Sequence, residues 1–184
     1  MSFAAAMSAR YVGIKLPYPI SFQSASMFAM LKDSKLPFWK TKNMAEMSPQ
    51  EWESLCDGCG KCCCIRLEDE DTADIYITDV VCKLFDSRSC RCTNYPNRSL
   101  LVPDCVTLTS DNVDQLHWMP QTCAYRLIAN GQDLPEWHHL VSGSEQSIHE
   151  AGMSVKDAVV SEEFIDPDDH IHRIVIWPGE PDVG

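Results

Sequence analysis

Apolar and polar positions follow no single period along this chain, so its elements are read segment by segment. Ser48-Pro49-Gln50-Glu51 predicts a helix start. Ser48 suits the cap, Pro49 the first turn, and Glu51 can reach back to close a capping box. Trp52 and Leu55 then share one face and bring the chain to Cys56. After an acidic turn at Glu68–Asp71, the β-branched run Ile75–Cys82 predicts a short strand. Pro120–Ala129 predicts a second helix, with Leu127 and Ile128 near its end and Gly131 as its C-terminal cap. Residues 154–160 suit strand and helix equally, and Ile171–Trp177 predicts a last strand before a Pro/Gly-rich tail. No internal repeat is present. The expected fold is α+β: a small, irregular, cysteine-rich domain over residues 31–178, with short strands and a few helices. Residues 1–30, which carry Pro17 and Pro19 and no periodicity, are expected to be a disordered or transit-like extension, or to precede a true start at Met27 or Met30. Residues 179–184 are expected to be a flexible tail.

Composition changes this picture in two respects. A length of 184 residues, with 45% hydrophobic and 23% charged, fits a globular domain and excludes wholesale disorder. The net charge of −12 and the ten cysteines are abnormal. The first 40 residues carry +4, from Arg10, Lys15, Lys32, Lys35 and Lys40 against Asp33, so the remainder carries −16. Such acidity argues against a nucleic-acid partner, which takes a basic patch. The chain also lacks the run of about 20 apolar residues that a spanning helix needs, so no membrane partner is expected. Pairing all the cysteines as disulfides would require an oxidising compartment and an export signal. The N-terminus has no positive residue ahead of its short apolar patch, which Arg10, Tyr11 and Lys15 interrupt. A cytoplasmic location follows as the expectation, and with it reduced thiols that serve metal binding or catalysis.

The thiols are concentrated in Cys56-Asp57-Gly58-Cys59-Gly60-Lys61-Cys62-Cys63-Cys64. Two residues between successive cysteines let their sulfurs converge, and glycines permit the tight turns that bring backbone amides around them. Three cysteines at that spacing open a ferredoxin-type cluster motif, whose fourth ligand comes from elsewhere. Zinc sites more often show two separated Cys-x-x-Cys pairs. Adjacent Cys62 and Cys63 tend to point in different directions and so suit two centres, or one centre and a second shell, better than a shared metal. Cys82, Cys90, Cys92, Cys105 and Cys123 remain, and Cys90-Arg91-Cys92 has a spacing that can also pinch a metal. One arithmetic solution is two four-thiolate centres. The bland alternative is that isolated cysteines such as Cys82 are small buried hydrophobes.

Other chemistry is weaker. His170-Ile171-His172 at strand spacing would place both rings on one face, where they could take a metal or remain solvated. A Cys–His nucleophilic pair is spatial and cannot be chosen from sequence. No Gly-rich phosphate loop, Gly-x-Ser-x-Gly turn or Walker-type Lys-Ser/Thr occurs. The radical-initiating Cys-x-x-x-Cys-x-x-Cys spacing fails at Arg66. The acidic runs at Glu162-Glu163 and Asp166–Asp169 read as solvated faces.

The segments Trp52–Cys63, Asp69–Thr72, Cys82, Cys90–Tyr95, Pro103–Cys105, Trp118–Pro120, Thr122–Arg126, Leu134-Pro135, Trp137-His138, Gly143-Ser144 and Asp169-His170 resemble a known family. It is the bacterial cysteine-cluster proteins with a CxxCxxCC motif, called a zinc- or iron-chelating domain, and in particular their YcgN-type branch. The similarity runs from about Pro37 to His170 and leaves residues 1–30 uncovered. The resemblance implies metal chelation and names no reaction. It makes family positions, and hence candidate ligands, of Cys56, Cys59, Cys62, Cys63, Cys82, Cys90, Cys92, Cys105 and Cys123. Cys64 departs from the family pattern, where an apolar residue is usual, and is discounted. The wider family includes a flagellin lysine methylase associated with an iron–sulfur cluster, and this chain is too short to hold that protein's other parts. Three hypotheses follow. The first is an iron–sulfur cluster protein, favoured on the three-cysteine spacing; the second is a zinc-stabilised interaction module; the third is a protein-modifying enzyme by analogy to the methylase. The expected partners are a metal ion or cluster and a protein of unknown identity.

Overall fold

A computed structural model of the chain describes residues 36–181. The expected extension over residues 1–30 and the last residues of the tail lie outside them. Two short helices open the described chain. Helix α1 (Phe38–Thr41) is followed by α2 (Pro49–Ser54). The latter starts as its sequence predicts: the Glu51 amide donates to Ser48 Oγ at 3.2 Å, and the Ser48 amide donates to Glu51 Oε2 at 2.8 Å. Pro49 occupies the first turn, where its missing N–H costs nothing.

The main sheet has three strands. β1 (Cys64–Glu68) runs antiparallel to β2 (Ile75–Val81), with Glu68 opposite Ile75 and Cys64 opposite Val81, and the register shifts between Cys64 and Arg66. The acidic turn joining them is ordered by one carboxylate: Asp69 Oδ1 accepts from the amides of Asp71 and Thr72 at 2.8 and 3.0 Å. A two-stranded ribbon of β3 (Phe85–Asp86) and β4 (Arg91–Cys92) follows. Helices α3 (Arg98–Leu101), α4 (Ala124–Ala129), α5 (His139–Ser142) and α6 (Ser147–Glu150) come next. β5 (Val160–Ser161) then pairs parallel to Val80–Val81. Residues 154–159, ambiguous in sequence, form neither strand nor helix. The α+β class is as expected, in short pieces.

Helix α4 is shorter at its start than Pro120–Ala129 implies, and it ends as Gly131 predicts. The Gly131 amide donates to the Ile128 carbonyl and the Gln132 amide to the Leu127 carbonyl, with Gly131 at φ +69°. The predicted last strand is a correction. Pro167–Arg173 forms a 3₁₀ helix, started by Asp166, whose Oδ1 accepts from the Asp168 amide at 3.0 Å. An Asp-Pro helix start therefore prevails over the β-branched run; Ile174 and Val175 meet β2 through the backbone, and Arg173 and Trp177 reach it through side chains, to Asp79 and to the Thr78 carbonyl. In a 3₁₀ helix residues three apart eclipse, so His170 and His172 do not share a face.

Burial is divided between two cores. Cys64, Ile77, Val81, Phe85, Cys90, Val155 and Trp177 form one, under the sheet; Leu55, Val113, Met119, Ala124, Tyr125 and Leu134 form the other, between the helices. Leu55 anchors one end of the cysteine loop in the helical core, and Cys64 anchors the other end in the sheet core. Residues 56–63 therefore span the seam between the two.

Candidate metal centre

Helix α2 delivers Cys56, and two buried side chains fix how it ends. A short helix leaves its last carbonyls without partners. Tyr125 Oη donates to the Trp52 carbonyl at 2.9 Å, and His138 Nε2 lies 3.0 Å from the Leu55 carbonyl. His138 Nδ1 accepts from the Leu140 amide at 3.1 Å, so Nε2 carries the proton and the ring is neutral. Burial holds the His138 pKa below its ordinary value, consistent with that tautomer. Beyond Cys56, Asp57 Oδ1 accepts from the Cys59 amide at 3.0 Å, which bends the loop back on itself. Gly60, at φ +79°, then feeds a 3₁₀ turn over Lys61–Cys63. A side chain on Gly60 would stand 2.5 Å from Phe85 Cζ and 2.7 Å from Val155 Cγ2, so the turn lies directly on the sheet core. Arg66 closes the loop from outside: its Nη1 donates to the Cys62 and Cys64 carbonyls and its Nη2 to the Lys61 carbonyl, while its guanidinium lies 4.4 Å from the Trp118 ring centre.

All ten cysteines are free thiols, and their electrostatics sort them into neighbourhoods. Burial raises the thiols of Cys56, Cys59 and Cys123, and the nearby Cys62 sulfur adds to each; Cys59 also feels Cys123. Cys56 is exposed as a residue, yet the protein around its sulfur pushes the thiol up to about 12. Cys62 differs from its neighbours. The adjacent Cys63 lowers it to about 7, with Arg66 helping, and Cys62 in turn raises Cys63. Cys63 in turn feels Cys82, whose amide donates to the Cys63 carbonyl at 3.0 Å. Burial raises Cys82 and Cys105; Cys82 feels Cys105 and Cys92, and Cys105 feels Cys92. Eight thiols thus form two overlapping neighbourhoods, Cys56/Cys59/Cys62/Cys123 and Cys63/Cys82/Cys92/Cys105, which meet at adjacent Cys62 and Cys63 and again through Cys105, which also feels Cys62.

Cys90 goes elsewhere. Expected beside Cys92, it is instead 4% exposed inside the sheet core with Cys64, its thiol pointing at the Cys59 carbonyl at 3.9 Å. Two cysteines one residue apart share a face only if both are extended, and Cys90 is left-handed at φ +54°. Burial pushes its thiol up to about 11, and that of Cys64 up to about 12. The donor set of the two neighbourhoods is soft sulfur throughout, which suits zinc and iron–sulfur chemistry. Among the described residues, no three Cys, His, Asp or Glu side chains are already arranged around one ion. Closing a site would therefore take side-chain rotation within each neighbourhood.

Residues 55–124, the stretch that carries both neighbourhoods, match the CxxCxxCC family, described as a "putative zinc- or iron-chelating domain". A UPF0260 protein of Mesorhizobium japonicum is 58% identical over 136 residues, covering 73% of this chain and 92% of the relative. This chain belongs to the UPF0260 family. Other members are similar over comparable lengths. One of Parvibaculum lavamentivorans is 51% identical over 82% of this chain and 99% of its own, and one of Caulobacter vibrioides is 57% identical over 72% and 83%. No solved structure matches the chain with significance. Among the described residues, no helix is long and apolar enough to cross a membrane.

Several residues that shape this UPF0260 site escaped sequence reasoning. Tyr125 and His138 lie in segments that carry the family resemblance, but they are remote in sequence from the helix end they cap, and nothing local marks that role. Arg66 was noticed only as an interruption of another motif. Lys61 carried a signal: a lysine locked between two cysteines of a tight loop has little room to reach solvent. It is fully buried.

Proposed function

We propose that this protein holds two metal centres, each through four thiolates: Cys56, Cys59, Cys62 and Cys123 for the first, and Cys63, Cys82, Cys92 and Cys105 for the second. The reading rests on the loop 56–63, which places Cys56, Cys59, Cys62 and Cys63 within eight residues, and on Cys82, whose amide donates to the Cys63 carbonyl at 3.0 Å. Cys90 and Cys64 are core residues in this reading. Iron–sulfur clusters are the favoured occupants, because three cysteines at two-residue spacing with a remote fourth are the ligand pattern of such clusters. When bound, a cluster would supply electron transfer; the chain would supply thiolates, with Arg66 directed at the loop carbonyls beside them. So many reduced thiols call for a cytoplasmic setting.

Structural zinc in the same two sets is the second reading. It is favoured by the division of the interior into two small cores, since a metal can substitute for burial. Anaerobic purification followed by metal, acid-labile sulfide and absorption measurements separates the two. Iron and sulfide in equal amount, with a brown visible spectrum, support the clusters. A colourless protein with two zinc ions per chain refutes them and supports the second reading. A metal-free protein that takes up neither refutes both. The methylase-like activity that the wider family suggests finds no support in the site's geometry and is not part of the proposal.

A further inference from the structure

We infer that Lys61 and Glu180 form a buried latch that positions the Cys59–Cys62 loop against the Cys123 turn, so that the far C-terminal segment of the chain is part of the metal-binding apparatus. The inference rests on the first of the two proposed centres. Lys61 Nζ donates to Thr122 Oγ1 at 3.2 Å, to Glu180 Oε1 at 3.1 Å and to the Pro178 carbonyl. An ammonium has three donors, and all three are used. The Lys61 side chain is 0% exposed and that of Glu180 is 7% exposed. Glu180 reaches further: its Oε2 accepts from the Gln121 amide at 2.9 Å. One charged contact therefore grips three places at once. These are Lys61, one of the two residues between Cys59 and Cys62, the two residues before Cys123, and the C-terminal segment.

Burying such a pair brings little net stability, because desolvating both charges offsets their attraction, and apolar residues of similar size often serve as well. What the pair adds is direction. Three bonds from one nitrogen fix Lys61 relative to Thr122, and a thiol on each side of that contact inherits the fixed geometry. The tail is shaped to make the contact. Gly179 sits at φ +80°, and a side chain there would stand 2.5 Å from Thr122 Cγ2 and 2.8 Å from Met153 Cε. Arg66 donates to the Lys61 carbonyl at 3.0 Å, so the backbone of the gripped residue is held as well as its side chain. Lys61 and Glu180 touch no metal in this account; they act through Cys59, Cys62 and Cys123.

The test is a Co(II) titration of the reduced full-length protein, followed by thiolate-to-cobalt absorption, on the wild type, Glu180→Gln, and the double variant Lys61→Met/Glu180→Leu. The double variant keeps the volume and removes the bonds, so it guards against a single variant that fails to fold. Unfolding of each metal-free protein is measured in parallel. The latch predicts about 10–100-fold weaker cobalt binding and an altered band shape in both variants, as for other supports of metal ligands. The double variant should unfold in its metal-free form as the wild type does. Arg173→Met, which breaks the same C-terminal stretch from Asp79, should bind cobalt as the wild type does. Wild-type cobalt affinity and band shape in both latch variants would overturn the inference and leave the metal reading standing. A wild type that binds no cobalt through thiolates would overturn the metal reading itself.

Discussion

Gly60→Ala isolates the contact between the cysteine loop and the sheet core. Two costs add at that position. Holding a non-glycine residue in the left-handed region costs about 1–2 kcal/mol. The new methyl would also meet Phe85 Cζ at 2.5 Å and Val155 Cγ2 at 2.7 Å. Both neighbours are buried in the same core, Val155 completely, so neither can swing into solvent to make room. Forced overpacking of that kind costs a further ~1–3 kcal/mol. The total is ~2–5 kcal/mol, or a fall in melting temperature of about 4–20 °C for a domain of this size. Gly131→Ala supplies the control, since Gly131 is also left-handed, at φ +69°, with nothing within 4 Å of the added methyl. It should lose only the backbone cost of about 1–2 kcal/mol. Urea unfolding with a chelator present, comparing midpoints at equal slope, gives both losses on the same metal-free footing. Equal losses in the two variants would refute the steric argument and with it the seating of the loop on the core.

Other outcomes follow from single contacts. Ser48→Ala removes the cap of the helix that delivers Cys56 and should cost about 1 kcal/mol in urea unfolding; an unchanged midpoint would mean the cap is unused. Cys64→Ser buries a hydroxyl in the sheet core and should cost ~1–3 kcal/mol while metal content stays at the wild-type level; loss of metal would make Cys64 a ligand. His138 is held neutral when folded, with its pKa below the ordinary 6.5, so below that pH the unfolded chain binds more protons and stability falls as pH drops. The His138 contribution to the slope between pH 6.5 and 5 is at most about 1.4 kcal/mol per pH unit, and His138→Gln should flatten it by that contribution. A pH profile parallel to the wild type would show that the ring does not titrate on unfolding.

The elements legible in the sequence were those whose signals are local. Ser48, Pro49 and Glu51 lie within one turn, and each does in the fold what its chemistry suggests. Gly131 marked a helix end for the same reason. β1 was not legible although Ile65-Arg66-Leu67-Glu68 alternates apolar and polar, because the strand is five residues long and begins inside the cysteine run. The last strand failed through competition between two local signals, the Asp166-Pro167 helix start and the β-branched run after it. The cysteine loop was legible in the sequence and its scaffold was not. Spacing put Cys56, Cys59 and Cys62 together, whereas the left-handed turn at Cys90 and the reach of Lys61 to Glu180 depend on contacts between distant parts of the chain.

The distance in sequence between Lys61 and Glu180 sets an order of events during synthesis. Glu180 is made 119 residues after Lys61. At about 5–20 residues per second, roughly 6–24 s separate the two. For that interval the cysteine loop's charged lysine has no buried carboxylate partner, and for most of it β5, which completes the sheet, has not been made either. Burial of the Lys61 charge therefore waits for residues made long after the cysteine loop.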